Sequence, residues 1–142
     1  MSHIPRQITV KAMCVFMHEG RLLAGTARDR TTGEEFYRLL GGGVEFGESS
    51  EVAIRREMRE ELDTEIENLQ FIKVVENIFV YEGRQGHEVT FVFTGTLSRK
   101  ELYELERSPI LDVANEAVWV SLEELKAGKV QVYPELDYES FL

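Results

Sequence analysis

The stretch GGVEFGESSEVAIRREMREELDT, residues 42–64, decides how this sequence is read. Glycines and a polar turn lead to Ser49 and Ser50, either of which can offer its hydroxyl to the free amides that begin a helix. Glu51 then falls in the first turn, where the helix dipole favours an anion. Ile54, Met58 and Leu62 follow at steps of four, the apolar stripe of an amphipathic helix. On that helix Glu57, Glu60 and Glu61 stand at i, i+3 and i+4, a spacing that puts their carboxylates on one face. Like charges so placed destabilise a bare helix by about 0.2–0.5 kcal/mol per pair. A hard divalent cation with oxygen ligands is the natural counter-charge. Mg²⁺ suits the cluster because it keeps several waters and shares substrate phosphates, and Mn²⁺ is the alternative. Arg55, Arg56 and Arg59 add positive charge around the same turns, and Ala53 leaves room one turn before Glu57. The plainer alternative is a solvated Glu/Arg face tied by i, i+4 pairs.

Outward from this segment, residues 7–17 (QITVKAMCVFM) are apolar enough for a strand buried on both faces. Residues 18–21 form a turn, 21–26 return as a strand, 27–35 form a polar loop, and 36–40 make a short strand that runs into the glycines. After the helix, strands at 67–81 and 88–97 flank a turn at 82–86 and read as a hairpin. Residues 98–116 form a polar connection with helical character in KELYELE. A strand at 118–120 leads into a second helix at 121–127, opened by a Ser-x-x-Glu capping box and closed at Gly128. The tail, 129–142, carries no clear signal. Strands alternating with two helices imply an α/β (α+β) sandwich, one domain over residues 1–142.

The chain holds 26 acidic and 16 basic residues, a formal net charge of −10. Such a field disfavours sequence-independent binding to polymeric nucleic acid, while a small phosphorylated substrate would need local cations. No apolar run is long enough to span a bilayer, so no membrane partner is expected. The first ten residues read as no secretion signal, and the single cysteine, Cys14, lies in an apolar stretch, so the cytoplasm is the expected setting.

Residues 42–64 resemble the Nudix box, G-x5-E-x7-R-E-U-x-E-E-x-G-U, with U aliphatic. Gly42, Glu48, Arg56, Glu57, Met58, Glu60 and Glu61 fill its positions, whereas Asp63 stands in place of glycine and Thr64 in place of an aliphatic residue. That glycine ends the helix in the left-handed region, so Asp63 implies a less comfortable cap, costing ~1 kcal/mol. The layout of residues 7–127, including WVSLEEL at 119–125, is also similar to the family. The resemblance implies a Nudix fold, a mixed β-sheet sandwiched between helices, and hydrolysis of a diphosphate linkage by water attack at phosphorus. It implies that Glu57, Glu60 and Glu61 hold Mg²⁺, with the Gly42 carbonyl as a further ligand. Arg56 would pair with and orient the carboxylates, and Glu48 would brace the loop–helix corner or bind the metal through water.

The resemblance implies a general base either from the box or from a glutamate outside it; outside the box, Glu116 is the first candidate and Glu88 the second. Arg38 would clamp a phosphate beside Gly42 and Gly43 if it shares a strand face with Phe36 and Leu40; the alternative is an ion pair with Glu34 or Glu35. Arg28 and Arg30 are weaker candidates for the same task, and Phe46 and Tyr37 could stack on a base. The resemblance implies a nucleotide as the small substrate. Tyr81, 17 residues beyond Thr64, is similar in placement to a tyrosine of dinucleoside polyphosphate hydrolases. Homodimers are frequent in the family, and nothing in the sequence marks an interface. The rival to an enzyme is a nucleotide-sensing domain of the same fold, which would be expected to lose carboxylates that this chain retains.

Overall fold

The computed structural model describes residues 6–111 and 113–141. Its elements run β1 (Thr9–Val15), β2 (Met17–His18), β3 (Arg21–Arg28), β4 (Glu35–Gly43), α1 (Ser50–Leu62), β5 (Ile66–Tyr81), β6 (Arg84–Leu97), β7 (Arg107–Pro109), β8 (Glu116–Ser121), α2 (Leu122–Lys126) and β9 (Val132–Tyr133). The sheet order is β5-β6-β1-β4-β3-β8-β7, with β2 on β3 and β9 on β4. β1 runs parallel to β6 and antiparallel to β4, so the sheet is mixed.

Alternation along β1 explains why the sheet is buried on both faces. Ala12 and Cys14 join Ile54, Met58 and Leu62 of α1 in one core. Met13 and Val15 face the other way, with Val118, Leu122, Val132 and Tyr138. The helix and the C-terminal segment therefore cover opposite faces of one sheet. Burial of Cys14 pushes its thiol pKa far up, which makes it a small apolar filler.

The expected strands and both helices are present, and several run longer than the sequence pattern indicated. β4 continues through Gly41, Gly42 and Gly43 because these pair with Met13, Ala12 and Lys11 of β1. Gly41, at φ 145°, has no room for a side chain against the β1 backbone. The connection 98–116 contains a 3-10 turn, Lys100–Tyr103, and the strand β7. The tail is structured: β9 pairs with β4, and Val132 and Tyr138 are buried. The β5–β6 hairpin projects beyond the part of the sheet that α1 covers, leaving Val74, Ile78 and Val80 exposed. Among the described residues, no helix is long and apolar enough to cross a membrane.

Candidate active site

Arg56 organises the corner where β4 gives way to α1. Its Nε donates to Glu48 Oε2 at 2.7 Å and its Nη2 to Glu48 Oε1 at 3.0 Å, a two-point pairing that suits the planar guanidinium. The same Nη2 donates to the Gly43 carbonyl at 2.9 Å. Nη1 reaches Glu57 Oε1 at 3.0 Å and Glu60 Oε2 at 3.2 Å. Hydrogen bonds from Arg56 hold the Glu48 carboxyl below the usual carboxylate range, and Glu48 in turn pushes the Arg56 pKa up. Glu48 also accepts from the Glu45 amide at 3.1 Å, which closes the loop over the helix start. Ser49 is the N-cap and accepts from the Val52 amide at 3.2 Å.

The carboxylate of Glu57 lies directly against the α-carbon of Gly42, where any side chain would collide with it. Glu61 is buried at 8% exposure and lines a cleft with Gly41 and Gly42. Ile110, Val113 and Asn115 also line this cleft, and their segment is tied to α1 by the Leu111 amide on the Glu61 carbonyl at 2.9 Å. Glu57 and Glu60 lean on Arg56, and among the described residues no three acidic, His or Cys side chains already converge into a ligand shell. The donor set is nevertheless of the right chemistry for Mg²⁺. Glu57, Glu60 and Glu61 supply hard oxygens on one helical face, and the backbone of Gly42 lies against Glu57.

The other end of α1 departs from the box without leaving bonds unmade. Asp63 takes the left-handed conformation at φ 50°, and its amide reaches the Arg59 and Met58 carbonyls. Thr64 is buried, and its hydroxyl donates to the Glu65 carbonyl at 3.0 Å and accepts from the Arg99 amide at 3.2 Å. Arg99 Nη1 caps the Leu62 carbonyl at 2.7 Å.

Lys11, Arg28, Arg30 and Arg38 line the same cleft as Glu61, so its floor is locally basic despite the acidic chain. Arg38 pairs with Glu88 at 3.6 Å rather than with Glu34 or Glu35. Glu116 is not among the cleft-lining residues; it faces a separate depression and pairs with Arg107 at 3.4 Å. Its neighbour Asn115, which does line the cleft, is tied to the Thr26 carbonyl at 2.6 Å. Phe46 is fully exposed, and Tyr37 packs against the second core. Tyr81 lines the cleft, its hydroxyl donating to the Arg28 carbonyl at 2.9 Å.

Sequence reasoning missed Asp29. Its carboxylate accepts from the amides of Thr31 at 2.8 Å, Thr32 at 3.1 Å and Glu82 at 3.0 Å, joining the β3–β4 loop to the tip of the β5–β6 hairpin. The backbone bond from Glu82 is the first cause of its lowered pKa. The run Asp29-Arg30-Thr31-Thr32-Gly33 carried the local turn signal, but nothing local pointed to position 82.

A model of the NUDIX domain matches residues 5–137. The chain is 36% identical over 61 residues to the NAD-capped RNA hydrolase NudC of Mycobacterium tuberculosis, a match covering 43% of this chain and 20% of that protein. The chain thus matches about a fifth of the length of its curated relatives. Among solved structures it is similar to the MutT NUDIX hydrolase from Burkholderia pseudomallei, with TM-score 0.62 and 25% identity, covering 83% of this chain and 86% of that one. It also shares its fold with a NUDIX hydrolase from Nitrosomonas europaea, with TM-score 0.68 and 19% identity, covering 95% and 86% of the two chains.

Proposed function

We propose that this chain, a member of the NUDIX domain family, is a hydrolase that cuts the diphosphate of a nucleoside diphosphate derivative or nucleoside triphosphate, with Mg²⁺. The observation that carries this reading is the cleft in which Glu61 meets Gly42, with Glu57 against that glycine and Arg38 and Lys11 nearby. Glu57, Glu60, Glu61 and the Gly42 carbonyl would hold the ion. The ion would supply Lewis acidity there, offsetting diphosphate charge and making an attacking water more acidic.

The remaining work belongs to the chain. Arg56 is a positioning residue that holds Glu48, Glu57 and Glu60 in one arrangement. Lys11, Arg28 and Arg38 offset phosphate charge, which a protein of net charge −10 requires at close range. That same net charge opposes a polyanion, so the proposed substrate is a small nucleotide, although the mycobacterial relative's name specifies RNA. Glu116 is the proposed base; to reach a water in the cleft its side chain would have to leave Arg107 and the neighbouring depression that it lines.

Product release from a nucleotide panel, with Mg²⁺ and with EDTA, tests the reading. Turnover should need the metal, and Glu116→Gln should lower kcat by roughly 10²–10⁴-fold. Tight binding of one nucleotide with turnover of none would make the domain a sensor instead. An unchanged kcat in Glu116→Gln would remove that residue from the mechanism.

A further inference from the structure

A second compartment opens beyond Arg38, with a volume of about 430 Å³. Its walls are Phe36, Phe79, Tyr81 and Tyr133. Phe36 meets Tyr81 edge-on at 6.0 Å between centroids and Tyr133 at 5.4 Å. The Phe79 ring lies across Gly86 of β6, where any side chain would strike it, so the glycine lets that ring lie close to the sheet. Four aromatic walls around a space of this size suit a flat ring.

The polar groups in the compartment are mostly acceptors. Asn77 and Glu88 are directly paired across β5 and β6, so both side chains stand on the face that looks into it. Glu88 is 8% exposed, and its one ion pair among the described residues, to Arg38 at 3.6 Å, is longer than a hydrogen bond. Glu34 lies at the rim. Asp29 is already committed to three backbone amides and has little left to offer a ligand.

The two compartments therefore have opposite character. The one beside Gly42 gathers Lys11, Arg28, Arg30 and Arg38, and the aromatic one carries Glu34 and Glu88. Phosphates are drawn to the first and repelled from the second. Arg38 and Met13 line both, so a single ligand can extend from one to the other past Arg38.

We propose that the aromatic compartment selects a substrate whose heteroaromatic ring presents an exocyclic amino group, and that Glu88 is the residue that reads it. Arg38 turns from Glu88 to the phosphates as the substrate enters, and the released carboxylate accepts from the ring amine. This inference rests on the hydrolase reading above, and it makes Glu88 a specificity residue with no part in proton transfer.

The test compares kcat/KM for matched nucleotides that differ in an amino or oxo group on the ring, cytidine against uridine and adenosine against inosine. The wild type should favour the amino member by roughly 10–100-fold, the value of one hydrogen bond to a charged acceptor. Glu88→Gln should shrink that ratio to about 3-fold or less while the pH–rate profile keeps its shape, and Phe79→Ala should raise KM for both members. Equal rates in the wild type, or a ratio that survives Glu88→Gln, would overturn the proposal. An equal loss of kcat for both members in Glu88→Gln would also overturn it, since that is the signature of a base. Calorimetric binding of the matching nucleoside monophosphates in EDTA gives the same ratio as dissociation constants. Binding preference without turnover would fail the hydrolase reading alone, and turnover without preference would fail the pocket alone.

Discussion

Arg56 shows how much of a site one residue can hold. Four groups from three segments depend on its guanidinium, and lysine cannot reproduce a planar two-point pairing with Glu48. Arg56→Lys should lower kcat/KM by about 10–100-fold, the usual effect of losing a group that orients metal ligands. Steady-state assays at saturating Mg²⁺ check it. The pairing also sets a pH dependence. The Glu48 pKa is depressed in the folded state, so its contribution to stability is present above the ordinary glutamate value of about 4.3 and is lost as pH falls through the depressed folded value. Urea titrations at pH 6 and pH 3 should show the gap between wild type and Glu48→Gln narrowing in acid. The spacing of Gly42, Glu48, Arg56 and the glutamates was legible in the sequence because neighbours on one turn and one helix are close in space by construction. The Arg38–Glu88 pair was not, because it depends on β4 and β6 flanking β1.

At the scale of elements, the end of α1 carries two departures from the family pattern, with opposite expected effects. Asp63 adopts a left-handed conformation that costs a non-glycine residue of order 1 kcal/mol, so Asp63→Gly should stabilise the fold by up to about that amount. Thr64→Val should do the reverse. It restores the aliphatic type but leaves the partly buried Arg99 amide without its acceptor, at about 1 kcal/mol. Denaturant midpoints of the two variants should move in opposite directions. Periodicity sufficed to read α1 and the long hairpin, where many residues repeat one pattern. It failed for β7 and β9, which are short and exist because β8 and β4 present open edges to them. It also stopped β4 at Leu40, since glycines look like a turn until β1 is there to pair with them.

For the whole molecule, the governing quantity is a net charge of −10 around a cleft lined with cations. A divalent ion bound by the folded state alone adds stability by mass action, about 2.7 kcal/mol at one hundred times its dissociation constant. Millimolar Mg²⁺ should therefore raise the melting temperature of the wild type, and that of Glu60→Gln by much less. An unchanged melting curve would count against a metal site among the glutamates. The two-sided sheet was legible from the apolar run in β1, whereas the arrangement of its cover was not. The C-terminal residues looked featureless because their burial depends wholly on what they pack against.

Asp29 has a consequence for this larger picture. With its carboxylate taken up by three amides, it rivets the loop after β3 to the far tip of the long hairpin, one on each side of the aromatic compartment. The width of that mouth is thus settled before any guest arrives. On the proposed reading, an oversized ring would be turned away at the entrance, before Arg38 and Glu88 respond to the guest.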